Sequence, residues 1–228
     1  MVPFGGTGEG DFIMRLQSAI FDMDGTLVDS MPMWQSRAEA LVRSHGLVPP
    51  PDLNSRVSSL SMLEGCALCK ELCGLPGTVE ELAGEVWEQV RHFYRHEARP
   101  KPGLIRFLSI LKMEGVWMYV ATATDRPLAE AALKTAGIDG YFRGIVTTRE
   151  AGQEKREGPE VYERALRRLR SNKKDTVVFE DALHALRTAH EAGFRTAAVY
   201  DPSEPDQDEM RRLSDYYITS FEEMTRLG

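Results

Sequence analysis

The chain reads as an α/β protein built on a Rossmann-like parallel sheet, with an all-helical domain inserted after its first strand. Three features of the 228 residues predict this. Short apolar runs end abruptly in polar residues, the pattern of strands buried on both faces. From residue 102 onward such runs alternate with helix-patterned segments, which implies parallel strands joined by crossover helices. Residues 30–101 carry helical patterns and no strand pattern.

The elements follow in order. Ser18, Ala19, Ile20 and Phe21 form the first run, stopped by the polar turn that begins at Asp22. Further strands are expected at residues 116–121, 145–147, 176–179 and 196–200, with a weaker one at 216–219. In the insertion, helical stretches cover residues 33–45, 60–73 and 79–96, the first two separated by Pro49, Pro50 and Pro51. Pro100, Pro102 and Gly103 mark the return to the strand–helix rhythm. Leu104, Phe107, Leu108 and Leu111 share one face of a helix over 104–113. Pro127 suits a helical first turn, and Gly137 stops that helix. Pro159 opens the next helix, with Val161, Ala165, Leu166 and Leu169 on one side. A last helix runs from about Ala182 to Gly193. The expected domains are a core of residues 14–29 and 102–228 and a helical domain of residues 30–101. Residues 1–13 are expected to be a loose tail, with Met14 a candidate start.

Composition bounds the function. Hydrophobic residues make up 42% and charged residues 28%, a globular balance. The formal net charge of −7 repels nucleic acid and anionic membranes, so neither is expected as a partner. A phosphorylated substrate is repelled at long range too, so its site must supply local cations. No apolar run approaches the ~20 residues of a membrane helix, and the first residues lack a signal-peptide pattern. Cys66, Cys69 and Cys73 do not resemble a disulfide framework, which fits a reducing cytoplasm. A monomer is the default expectation.

Open parallel sheets bind ligands beyond the carboxyl ends of their strands. The polar residues there are Asp22, Asp24 and Thr26, then Thr122 and Thr124, then Glu180 and Asp181. If the strands are neighbours, four carboxylates converge and repel one another unless a cation joins them. Oxygen ligands with room for water and phosphate favour Mg²⁺. In extended chain Asp22 and Asp24 face one way and Met23 the other. One carboxylate can then attack phosphorus while the other exchanges a proton with the leaving oxygen and the attacking water. Gly25 lets backbone amides approach the phosphoryl group.

The run Asp22-Met23-Asp24-Gly25-Thr26-Leu27-Val28-Asp29 resembles the first motif of the haloacid dehalogenase superfamily. The likeness continues at Thr122, Lys155 and the Glu180-Asp181 pair, in the family's order, and spans nearly the whole chain. The resemblance, of the β-phosphoglucomutase and phosphoglycolate phosphatase type, implies strand order 5-4-1-2-3 and a helical C1 cap. It implies a phosphatase acting on a small phosphorylated metabolite such as a sugar phosphate. Asp22 would be the nucleophile and Asp24 the acid/base. Thr122 and Lys155 would bind the phosphoryl group, helped by Gly25, Thr26, Ala123 and Thr124. Mg²⁺ would be held by Asp22, the Asp24 carbonyl and Asp181, with Glu180 as a further metal-binding candidate. One departure concerns the lysine: relatives commonly place proline directly after it or three residues on, whereas here Lys155-Arg-Glu-Gly-Pro159 puts Arg156 forward as a fallback.

Plainer readings stand beside these. Glu180 and Asp181 suit a helix start, and Thr124 or Asp125 suits a cap before Pro127. The cysteines share one helical face as small hydrophobes rather than as a zinc site. Arg91, Arg95 and Arg99 read as a solvated face, and His184 and His190 as structural. Trp34, Met31 and Met33 either wall the substrate or pack the root of the insertion. A phosphomutase shares all the motifs but needs a further cation in the insertion, and the loop expected at residues 57–64 has none, Arg56 lying just before it. A phosphonoacetaldehyde hydrolase would need a Schiff-base lysine, for which only Lys70 and Lys101 offer themselves. A receiver-like phospho-binding module would use similar acids, but a helical insertion suits turnover by excluding water.

Overall fold

The computed structural model describes residues 16–58 and 60–225. The expected loose tail and candidate start lie outside them. Six strands form one all-parallel sheet, β1 Ser18–Phe21, β2 Trp117–Thr122, β3 Ile145–Thr147, β4 Thr176–Glu180, β5 Arg195–Val199 and β6 Tyr216–Ile218. Their spatial order is β3-β2-β1-β4-β5-β6. This is the expected 5-4-1-2-3 order, with the weak last run added as a sixth strand at one edge. β1 lies between β2 and β4, so the chain winds away from it in both directions. A crevice opens at such a switch point, beyond the carboxyl end of β1.

Every residue of β1 is buried, as a central strand covered on both faces requires. Alternate side chains divide between two cores. Phe21 stacks on Phe179 at 4.2 Å between ring centroids, and Phe107 and Phe221 extend this aromatic group. On the opposite face Ile20 and Val178 pack with Val161, Tyr162, Ala165 and Leu169. The helices of this unit are α5 Leu104–Met113, α6 Arg126–Thr135, α7 Thr148–Ala151, α8 Glu160–Leu169, α9 Leu183–Glu191 and α10 Gln207–Leu213. Two of these, α7 and α10, are too short to carry a readable helical period and were not expected.

The helical unit spans Ser30–Glu97. It holds α1 Met31–Ser44, α2 Leu53–Val57, α3 Met62–Cys73 and α4 Val79–His96. Leu41, Val42, Leu53, Leu82, Val90 and Tyr94 form its interior, and the Trp34 indole donates to the Tyr94 hydroxyl at 3.0 Å. Ser61 and Thr78 open α3 and α4 with reciprocal capping boxes to Glu64 and Glu81. The segment 57–64, expected as a loop, is therefore the end of one helix, a short link and the first turn of the next.

The boundary differs from the proline signal by four residues. Residues 98–101 belong to the sheet unit, because they pair with the segment after β1. The Asp29 N–H donates to the Arg99 carbonyl at 3.0 Å, the Lys101 N–H donates to the Leu27 carbonyl at 2.9 Å, and Val28 bridges Pro100. No helix among the described residues is long and apolar enough to cross a membrane.

Candidate active site

The site begins where β1 stops. The Asp22 N–H still bonds to the Phe179 carbonyl at 3.0 Å, continuing the ladder by one residue. Beyond it the chain turns back: the N–H groups of Leu27 and Val28 both reach the Met23 carbonyl at 2.9 Å. Met23 is fully buried while Asp24 is partly exposed, the division that their alternation predicts. Gly25 has φ +76°, and a Cβ there would overlap the Asp181 carboxylate. Glycine is required here twice over, for the left-handed backbone and for the close approach. Thr26 then donates its hydroxyl to Asp181 Oδ1 at 2.9 Å, tying the first motif to the end of β4.

Lys155 arrives on the loop after α7. Its ammonium lies 2.5 Å from Asp22 Oδ1 and 2.7 Å from Glu180 Oε1. The lysine is buried, whereas Arg156 is exposed. Lys155, not the fallback, therefore meets the carboxylates, although proline does not follow it directly. Glu157 and Gly158 turn the loop by donating to the Glu154 carbonyl.

Asp22, Glu180 and Asp181 each place a carboxylate oxygen within 4.8 Å of the others, and this is the one group of potential metal ligands found among the described residues. Burial pushes the Asp22 carboxyl up to about 7, the Glu180 charge adds to this, and the Lys155 ammonium opposes it. Asp181 is raised well above the usual carboxylate range by burial, then by the charges of Asp22 and Glu180. Lys155 is held protonated: burial works against its charge, but the two carboxylates more than compensate. Glu180 Oε2 is buried and accepts no hydrogen bond from the described residues. Three crowded carboxylates and an unpartnered anionic oxygen fit a bound divalent cation, and an oxygen-only set fits Mg²⁺.

The remaining expected residues divide. Thr122 is buried at the end of β2, and its Oγ1 accepts the Thr124 N–H at 3.0 Å. Thr124, expected at the substrate, turns its hydroxyl onto Asp24 Oδ2 at 2.6 Å. The Asp24 carboxylate lies outside the three-carboxylate group, so only its main-chain carbonyl remains as an expected ligand. Ala123 is exposed between the two threonines. Asp181 stands at the start of α9, as a helix-start reading expects, but the N-cap position is Ala182 and no side chain caps it; the Leu183 N–H is taken by Glu204 at 2.9 Å.

Two partners were not legible. Tyr162 lies in the apolar stripe of α8, yet its hydroxyl donates to Glu180 Oε1 at 2.6 Å. The sequence signal was a phenol in a buried stripe, whose O–H must find an acceptor. Lys101 pairs with the buried Asp201 at 2.5 Å, a contact 100 residues apart that no local pattern reveals. In the helical unit Cys66 and Cys69 are buried thiols raised by burial, Cys69 to about 11, which suits small hydrophobes. Arg91 pairs with Glu88.

A family model described as haloacid dehalogenase-like hydrolase matches residues 19–199. The chain belongs to this family. The matched span runs from β1 to the end of β5 and contains Asp22, Asp24, Thr122, Lys155, Glu180 and Asp181. This haloacid dehalogenase-like hydrolase is 26% identical over 178 residues to a phosphorylated carbohydrates phosphatase of Thermotoga maritima, covering 78% of this chain and 82% of that protein. It is 27% identical over 217 residues to hexitol phosphatase A of Escherichia coli, covering 93% and 94%. Its fold matches a candidate β-phosphoglucomutase from Thermotoga maritima with a TM-score of 0.82, at 24% identity and with 93% and 98% of the two chains covered.

Proposed function

We propose that this hydrolase is a Mg²⁺-dependent phosphatase of a small phosphorylated metabolite, acting through an aspartyl phosphate on Asp22. The observation that carries the reading is the Lys155 ammonium seated between Asp22 and Glu180, beside Asp181, at the switch point of the sheet. The two curated phosphatases, matched over most of their length, support phosphorylated carbohydrates as the substrate class. Residues 30–97 are read as the helical cap domain that the family resemblance implies.

Asp22, Asp181 and the Asp24 carbonyl would hold Mg²⁺, which supplies positive charge that keeps the carboxylates ionised and offsets charge on the phosphoryl oxygens. Asp22 attacks phosphorus, a new P–O bond forms to its carboxylate, and the bond to the ester oxygen breaks. Asp24, oriented by the Thr124 hydroxyl at 2.6 Å, gives its proton to the departing oxygen. It then takes a proton from the water that attacks the aspartyl phosphate, and orthophosphate leaves. The Lys155 ammonium and the Thr122 hydroxyl face the charge that spreads over the phosphoryl oxygens.

The test is orthophosphate release from a panel of phosphorylated metabolites, with and without Mg²⁺. Activity is expected to require Mg²⁺ and to fall by at least about 10³-fold in Asp22→Asn, the order of loss that follows removal of a catalytic nucleophile. Turnover that survives chelation, or that survives in Asp22→Asn, refutes the mechanism. Isomerisation primed by a bisphosphate, without release of phosphate, would identify a mutase instead.

A further inference from the structure

Tyr162 takes no part in the steps above, yet its side chain ends inside the site. Its ring is fully buried with Ile20, Val178 and Ala165 and meets Phe194 edge-on at 6.2 Å between centroids. Apolar packing alone would be served as well by phenylalanine. The hydroxyl instead donates to Glu180 Oε1 at 2.6 Å, the oxygen that also receives the Lys155 ammonium at 2.7 Å. That ammonium reaches Asp22 Oδ1 at 2.5 Å. The four groups form a buried chain, Tyr162 to Glu180 to Lys155 to Asp22.

We propose that Tyr162 is a positioning residue whose hydroxyl, by occupying Glu180 Oε1, keeps the Lys155 ammonium shared between Glu180 and Asp22. The inference rests on the reading of Lys155 as the cation that meets the phosphoryl group. A desolvated carboxylate binds a neighbouring ammonium strongly, because no water competes for it. A second donor on the same oxygen draws off part of its charge and fixes the plane of the carboxylate. Without that donor, Glu180 Oε1 takes a larger share of the Lys155 ammonium, away from Asp22 and from an incoming phosphoryl oxygen. The Tyr162 hydroxyl bonds to Glu180 and acts through it.

The test compares wild type, Tyr162→Phe, Glu180→Gln and the double variant. Tyr162→Phe keeps the ring and its packing, and circular dichroism and the urea midpoint check that each variant is folded. Orthophosphate binding in the presence of Mg²⁺, read by calorimetry, is expected to weaken about tenfold in Tyr162→Phe, the scale of a hydrogen bond to a charged group. In the Glu180→Gln background the same substitution is expected to change affinity less than twofold. Unchanged affinity in Tyr162→Phe, or an equal loss in both backgrounds, overturns the proposal. A second readout needs neither metal nor phosphate. The ¹⁵Nζ resonance of Lys155 in the chelated protein should move on Tyr162→Phe and stay in place when Glu180 is already glutamine. A wild-type chain that binds no orthophosphate would sink the phosphatase reading; the Lys155 resonance then decides the role of Tyr162 by itself, and a resonance indifferent to Tyr162→Phe rejects it.

Discussion

At the scale of single residues, the site combines stored repulsion with a few ties that hold it in place. Asp22 and Asp181 are buried together, and Lys155 neutralises part of the charge. The sign of the stability effect follows from the shift. An unfolded aspartate titrates near 3.9, whereas folding moves Asp22 to about 7. Between those values the folded chain holds a proton that the unfolded chain has released, so stability falls as pH rises. The raised Asp181 works in the same direction. For the chelated protein we expect the urea midpoint to decline from pH 5 to pH 7.5, and Asp22→Asn to flatten that decline. Equal slopes in the two proteins would show that the buried carboxylates do not govern it. Added Mg²⁺ should shrink the wild-type decline, since it binds the ionised group.

At the scale of elements, short-range chemistry decides where helices begin, and burial decides where strands sit. The expected spans 79–96, 104–113 and 145–147 coincide with α4, α5 and β3, because each has a local stop signal or a sharp change of pattern. The strand expected at 116–121 is shifted by one residue to Trp117–Thr122, as the register with β1 selects. The first cap of α4 offers a direct test. Thr78 accepts the Glu81 N–H at 3.1 Å while Glu81 returns to the Thr78 N–H at 2.8 Å. Thr78→Ala should cost about 1 kcal/mol of stability, measured by urea unfolding, and Thr78→Ser should restore most of it. No loss in Thr78→Ala would mean that water satisfies the freed N–H groups equally well. The short helices α7 and α10 escaped notice for the converse reason: four and seven residues make at most about two turns, too few to establish a helical period.

At the scale of the whole molecule, residues 30–97 form a helical unit inserted along the chain between two parts of a sheet unit, whose cut ends lie side by side. The Asp29 N–H to Arg99 carbonyl bond and the bridge between Val28 and Pro100 join those ends within the sheet unit. Each unit also has its own apolar interior. We therefore expect the sheet unit to fold when residues 30–97 are replaced by a short glycine–serine link, because adjacent ends need little loop closure. Cooperative urea unfolding and dispersed amide resonances would show this. A chain that aggregates or unfolds without cooperativity would show that the sheet depends on the helical unit.

By itself the sequence determined the elements that local rules govern: buried runs, helical faces, capping signals and the order of the acidic motifs. It also determined that Asp22, Asp24, Thr122, Lys155, Glu180 and Asp181 stand at strand ends or in the loops beside them, where an open parallel sheet gathers ligands. Only the tertiary structure decided which of those groups touch. It set Lys155 rather than Arg156 between Asp22 and Glu180, turned Thr124 onto Asp24, and brought in Tyr162 and Asp201. The physical reason is that hydrogen bonds and charge contacts act over a few ångströms in space. Their partners are chosen by how strands and loops come together, and separation along the chain carries no record of that choice.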